Sequence, residues 1–296
     1  MENKNIKFVF FGSSEISVIT LNELKKNSLL PSLIVTQPDK PKGRGLDISE
    51  SLVKIWAKEK NIRVKSPKNL KDESFVNLLK EEVINGAKVF ILVSFGRIIP
   101  NEILNLAPQG ILNLHPSLLP KLRGPSPIET SILNDEKDEV GLSIIVLDKE
   151  MDHGPIVKQE KIEMEKWPVS KSELTKIFGE IGGKLLAEEI LKAEKETLAL
   201  REQDHSEATF TKKFTKEDSL IDLSEDPYKN YLKFLAFEKN PATYFFIEHQ
   251  GKKIRVKISK AKFSEGKFCL ERVTPEGKKE MDLESFKRGY KYYEPV

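Results

Sequence analysis

Sulfur is scarce in this chain, with one cysteine, Cys269, and four methionines. A lone cysteine excludes an internal disulfide and fits a reducing compartment. Cys269 stands between Phe268 and Leu270 in a strand-like run, which reads as a small packed side chain rather than a nucleophile. Histidine is nearly as sparse. His115, His153, His205 and His249 share no metal-ligand spacing with the cysteine, so no metal is expected. No apolar run approaches the roughly 20 residues that a membrane span requires. The polar start, Met1–Asn5, gives way to strand-like residues at Ile6. No signal or transit peptide is therefore expected, and the expected location is cytoplasmic.

What is present suits a two-domain protein. A length of 296 residues favours two domains over one, and 39% hydrophobic residues can bury a sizeable core. The net charge of +3 hides an asymmetry. From His249 to Tyr293 there are 13 Lys/Arg against 6 Asp/Glu, a net of +7, which leaves −4 for the rest. A basic end on an otherwise acidic chain points to a polyanionic partner. A solvated lysine-rich surface explains the same charge without one.

The first two-thirds alternate apolar strands with helices. Ile6–Phe11, Leu33–Thr36, Val89–Val93, Ile111–Leu114 and Leu142–Leu147 read as strands. Helices are expected from Ser13 or Ser14 to Leu24 and over Leu52–Glu59, Glu73–Val83 and Ser172–Ala193. Near-continuous apolar strands in this alternation predict an α/β fold with a doubly wound, mostly parallel sheet. Thr197–Ser219 is polar and reads as a linker. A helix at Pro227–Phe237 and strands around a turn at His249–Lys252 then predict a smaller, β-barrel-like carboxy-terminal domain. The expected boundaries are residues 1–197, a linker over 198–219, and 220–296.

Ligands of an open parallel sheet bind at the carboxyl ends of its strands. Asn113 and His115 are two residues apart on a strand and project from one face. An amide donor beside an imidazole can hold a developing oxyanion and handle a proton. Taken alone, a polar strand end with a hydrogen-bonded histidine is the commoner explanation of Asn-x-His. Asp152 stands in a turn before Gly154-Pro155, placed to reach that histidine and fix its tautomer. Asp148 and Glu150 are assigned surface roles, and His153 a structural one. Gly12-Ser13-Ser14 lacks the glycines and the lysine of a phosphate loop, and a capped helix explains it.

Several stretches together resemble the methionyl-tRNA formyltransferase family over nearly the whole chain. They are Thr36-Gln-Pro-Asp-Lys-Pro with Gly43-Arg-Gly, Asn113-Leu-His-Pro-Ser-Leu-Leu-Pro with Arg123-Gly, and Met151-Asp-His-Gly-Pro-Ile. Gln203-Asp, Ala208-Thr and Thr215-Lys-Glu-Asp resemble the family's linker, and Phe286-Lys-Arg-Gly-Tyr its carboxy-terminal end. Pro125-Ser126 depart from the two alanines common there. The resemblance implies the formyltransferase fold and transfer of a formyl group from 10-formyltetrahydrofolate to the α-amino group of methionine on initiator tRNA. It implies Asn113, His115 and Asp152 as catalytic residues. Backbone at Phe95, Gly96 and Arg97 and at Ser117, Leu118, Leu119 and Pro120 would line the folate site. Lys42 and Arg44 would meet the tRNA, the small β-rich domain would help hold it, and a monomer is expected. A formyltransferase acting on a small amine, such as a nucleotide sugar or glycinamide ribotide, remains the alternative. A non-catalytic RNA-binding protein on the same fold is a second one.

Overall fold

The computed structural model of the protein describes residues 6–42, 47–239, 241–290 and 292. Along the first part of the chain run β1 (Val9–Gly12), α1 (Glu15–Lys26), β2 (Leu33–Val35), β3 (Lys40–Lys42) and β4 (Asp47–Ser49). Next come α2 (Leu52–Glu59), β5 (Val64–Lys65), α3 (Glu73–Ile84), β6 (Phe90–Val93), α4 (Asn101–Leu104) and β7 (Ile111–His115). Then follow α5 (Pro127–Leu133), β8 (Gly141–Val146), β9 (Ile156–Lys161) and α6 (Lys171–Lys195). Seven strands form one sheet in the order β5-β2-β1-β6-β7-β8-β9. The five from β5 to β7 are parallel. Only β8 is reversed: it runs antiparallel to both β7 and β9, so β9 resumes the direction of the first five. The apolar run of β8, Leu142-Ser-Ile-Ile-Val, has the composition of a buried parallel strand, so the sequence carries no sign of the reversal.

Helices cover both faces, which is why β1 and β6 are apolar at nearly every position. Leu114 lies against Gly182 of α6, and Ile19 of α1 against Gly179. On the opposite face Leu79 of α3 and Ile103 of α4 pack with Val9, Phe11, Phe90, Leu92 and Ile111. Alternation along β7 then puts Asn113 and His115 on the same face as Ile111. The Gly12-Ser13-Ser14 turn is a helix start, as expected. Ser17 Oγ accepts from the Ser13 and Ser14 amides and donates to Val93 O at 2.6 Å, tying α1 to the end of β6.

The chain divides into two compact units, and they are not the contiguous stretches expected from the sequence. The first holds residues 1–123, 141–162 and 175–210; the second holds 124–140, 163–174 and 211–296. The expected linker is thus divided, because residues 201–210 are bonded into the first unit. Arg201 exchanges two backbone bonds with Ile156, and Arg123 N donates to Thr209 O at 2.9 Å. In the second unit α5 packs on α7 (Pro227–Ala236), and Trp167 and Tyr228 both donate to Asp135. Pro125-Ser126 lead straight into α5, with the Ser126 amide donating to Thr211 Oγ1.

The second unit carries a four-stranded antiparallel sheet in chain order: β10 (Tyr244–His249), β11 (Lys252–Ser264), β12 (Lys267–Pro275) and β13 (Met281–Asp282). Helix α8 (Leu283–Tyr290) closes over it, placing Phe286 against Phe245, Val256 and Val273. The expected turn between β10 and β11 is a two-residue loop with Gln250 at φ 51° and Gly251 at φ 72°. Both positions are left-handed, the geometry that favours Asn-Gly. Gln250→Asn should therefore raise stability by about 0.5 kcal/mol. The urea midpoint reads this, and an unchanged or lower midpoint contradicts it.

Candidate active site

Three polar side chains meet over β7. Asn113 Nδ2 lies 3.4 Å and His115 Nδ1 3.5 Å from Asp152 Oδ1. Asn113 and His115 are 6% and 4% exposed, so few waters reach them. The other ring nitrogen of His115, Nε2, stands 2.9 Å from the carbonyl oxygen of Leu122. A carbonyl can only accept, so Nε2 carries a proton and donates. That leaves Nδ1 as the ring nitrogen for chemistry, facing a carboxylate.

The backbone is bent to make this possible. Leu122 has φ 59° and Asp152 φ 52°, both in the left-handed region that L-residues enter at a cost of about 1 kcal/mol. Leu112 pairs with Val146, so β8 ends beside the start of β7 rather than at its carboxyl end. The turn that follows β8 must fold back over β7 to bring Asp152 to Asn113 and His115. Gly154 permits this, because an added Cβ would lie 1.9 Å from Val146 O.

The loop after β7 is equally tied. Ser143 is fully buried opposite His115. Its Oγ accepts from Leu119 N at 3.0 Å and from Gln159 Nε2 at 2.9 Å, and donates to Ser117 O at 2.7 Å. Ser117 donates to Lys121 O, Leu118 packs on Gly141, and Leu119 is buried with Ile145 and Ile156. At the end of the adjacent β6, the side chain of Phe95 lies in the core, edge-on to Phe11 at 5.5 Å. Its carbonyl accepts from Gln37 Nε2 at 2.7 Å. Arg97 donates to Pro67 O and Lys68 O, and it lines a cavity of about 420 Å³ with Lys71 and Lys149. Arg44 and the side chain of Lys42 lie outside the described residues.

The remaining carboxylates and histidines have other partners. His153 Nδ1 is 2.6 Å from Asp148 Oδ2, and its ring stacks on His205 with centroids 4.0 Å apart. Reading by elements missed three contributors: the Leu122 carbonyl, Ser143 and the buried pair Arg123–Gln203. Gln203 Nε2 donates to Asp152 O at 2.9 Å and Gly154 O at 2.7 Å. Only the resemblance of Gln203-Asp to a family stretch signalled it, because a buried glutamine in an irregular segment has no periodicity. Among the described residues no group of three or more His, Cys, Asp or Glu is arranged to hold a metal.

Ser143→Ala should remove the acceptor of the Leu119 amide and the donor to Ser117 O in a dry setting. The expected loss is about 1–3 kcal/mol in urea unfolding; a loss below about 0.5 kcal/mol contradicts this role.

Comparison with known proteins bears on the family and the fold. The model of the family described as Formyl transferase matches residues 4–190. The methionyl-tRNA formyltransferase of Carboxydothermus hydrogenoformans is 34% identical, over 97% of this chain and 97% of that one. Two solved structures share the fold. Methionyl-tRNA formyltransferase from Clostridium thermocellum has a TM-score of 0.64 at 18% identity, covering 91% of this chain and 98% of that one. The N-formyltransferase from Helicobacter canadensis, in complex with folinic acid and dTDP-3-aminofucose, has a TM-score of 0.58 at 19% identity, covering 90% and 94%. With residues 4–190 matched by the family model and a relative of that identity over 97% of both chains, this chain belongs to the formyl transferase family, among the methionyl-tRNA formyltransferases.

Proposed function

We propose that the protein transfers the formyl group of 10-formyltetrahydrofolate to the α-amino group of methionine on initiator tRNA, in the cytoplasm, with Asn113, His115 and Asp152 as the reacting side chains. The observation that carries this is the convergence of those three groups within 3.5 Å, with His115 Nε2 held by Leu122. The relative that matches end to end supports the tRNA substrate over a small amine.

The residues suit a folate donor. Backbone after β6 and β7, at Phe95–Arg97 and Ser117–Pro120, borders the catalytic strand, and the Phe95 side chain is turned into the core. The folate supplies an activated formyl carbon; the protein does the rest. The amine must be neutral to attack, and Asp152 is placed to accept its proton. As the new C–N bond forms, negative charge grows on the formyl oxygen. Asn113 Nδ2 is a donor for that oxygen, and His115 Nδ1 becomes a second one when the amine proton taken by Asp152 passes to it. The C–N bond to folate then breaks, and the proton held by the Asp152–His115 pair passes to the departing nitrogen.

The tRNA reading also has support in the second unit. Alternation on β10 turns Phe245 inward and Tyr244 and Phe246 outward. Lys253 lies 4.3 Å over the Phe246 ring and Arg255 5.7 Å over Tyr244. Lys260 and Lys262 instead share Glu271, and Arg272 pairs with Glu280. Cations at the β10–β11 end thus lie over aromatic rings rather than against those carboxylates, which suits contact with phosphates. The resemblance assigns Lys42 and Arg44 to the acceptor end of the tRNA.

Incubation with 10-formyltetrahydrofolate should formylate charged initiator tRNA and leave nucleotide sugars and glycinamide ribotide unmodified. The opposite preference overturns the substrate assignment. Asp152→Asn should stay folded and turn over roughly 10²-fold more slowly, and a folded variant with near-normal turnover removes Asp152 from the chemistry. Replacing Lys253, Arg255 and Lys257 together by Ala should flatten the salt dependence of tRNA affinity by about 0.9 log units per log of salt for each phosphate that is no longer neutralised. An unchanged slope moves the tRNA-binding surface to another face.

A further inference from the structure

Gln203 lies outside any helix or strand, yet it is 5% exposed and its carboxamide is fully engaged. Both Nε2 hydrogens go to carbonyls of one turn, those of Asp152 and Gly154. Its Oε1 accepts from Arg123 Nη2 at 2.7 Å and from Arg123 Nε at 3.2 Å. Arg123 is itself 4% exposed, and its Nη2 also donates to His205 Nδ1 at 2.8 Å. A buried fork thus fixes the amide oxygen, and the amide nitrogen fixes the two carbonyls on either side of His153.

We propose that Gln203, oriented by Arg123, is a positioning residue for Asp152 in the formyl-transfer reaction. This rests on the reading that Asp152 reacts. The left-handed backbone at Asp152 is unfavourable by itself, so the turn needs bonds from outside it to stay in that shape. Gln203 supplies two, on carbonyls that nothing in β8 or β9 can reach through regular sheet pairing. Carboxylate placement then follows from a residue about fifty positions along the chain. A displacement of roughly 1 Å at a reacting group can cost about 10²-fold in rate.

Gln203→Glu separates positioning from mere support. It keeps the acceptor oxygen for the Arg123 fork and replaces the nitrogen that carries both donors to the turn by an oxygen that cannot donate to a carbonyl. Expected are a kcat lowered roughly 10²-fold, with KM for tRNA and folate changed less than about 3-fold. The decisive measurement is the cycle with D152N. If Gln203 acts through Asp152, adding Q203E to D152N should cost less than about 3-fold further in kcat. Wild-type kcat for Q203E overturns the proposal, and so do losses that multiply in the double variant. D152N with near-normal turnover would instead sink the catalytic reading itself, a result distinct from either. Should Q203E not fold, Gln203→Met goes through the same cycle with the same criteria.

Discussion

Two carbonyl oxygens of one turn end on a single amide nitrogen, that of Gln203, and the geometry of the site follows from that constraint. Strand β8 is antiparallel to β7, so the chain leaves it beside Leu112, at the wrong end for the strand-end crevice. The turn from Asp148 to Pro155 has to return across β7. It does so with a left-handed aspartate and a glycine pressed on the Val146 carbonyl. The side-chain nitrogen of Gln203 bonds this turn at the Asp152 and Gly154 carbonyls, on either side of His153.

The same economy runs through the first unit. Ser94, Leu122 and Asp152 all have positive φ and stand beside the end of β6, at the His115 acceptor and at the carboxylate that faces Asn113 and His115. Such conformations persist where surrounding bonds over-determine them, and they concentrate at functional sites. Here the surrounding bonds come largely from residues 201–210, which link to Ile156, Asp152, Leu122 and Arg123. A guanidinium buried on neutral acceptors is costly unless its hydrogen-bond geometry is good. Arg123 meets that condition with Gln203 and His205.

The second unit handles charge differently. Along β11 and β12 Lys260 and Lys262 pair with Glu271 and Arg272 with Glu280, while Lys253 and Arg255 lie over aromatic rings. A charge count from His249 to Tyr293 yields +7, but surface chemistry depends on which cations have a carboxylate across the strand pair. Cations over rings keep their charge available to an anion while their stems pack on apolar surface.

Much of the fold and of the site is legible in the residues alone. Apolar runs locate β1, β6, β7 and β8, serine placement locates the start of α1, and the i, i+2 spacing of Asn113 and His115 puts both on one face. The motif stretches point to the family, and the turn before Gly154-Pro155 marks Asp152 as within reach of His115. Periodicity and capping are contained in residues a few positions apart, so a sequence exposes them directly. The direction of β8, the division of the expected linker, the Leu122 acceptor and the Arg123–Gln203 fork are not legible there. They join residues up to about eighty positions apart through hydrogen bonds that carry no period and no composition of their own. Such bonds exist only once the sheet is packed, because burial removes water as the competing partner, and so the tertiary structure alone decided them.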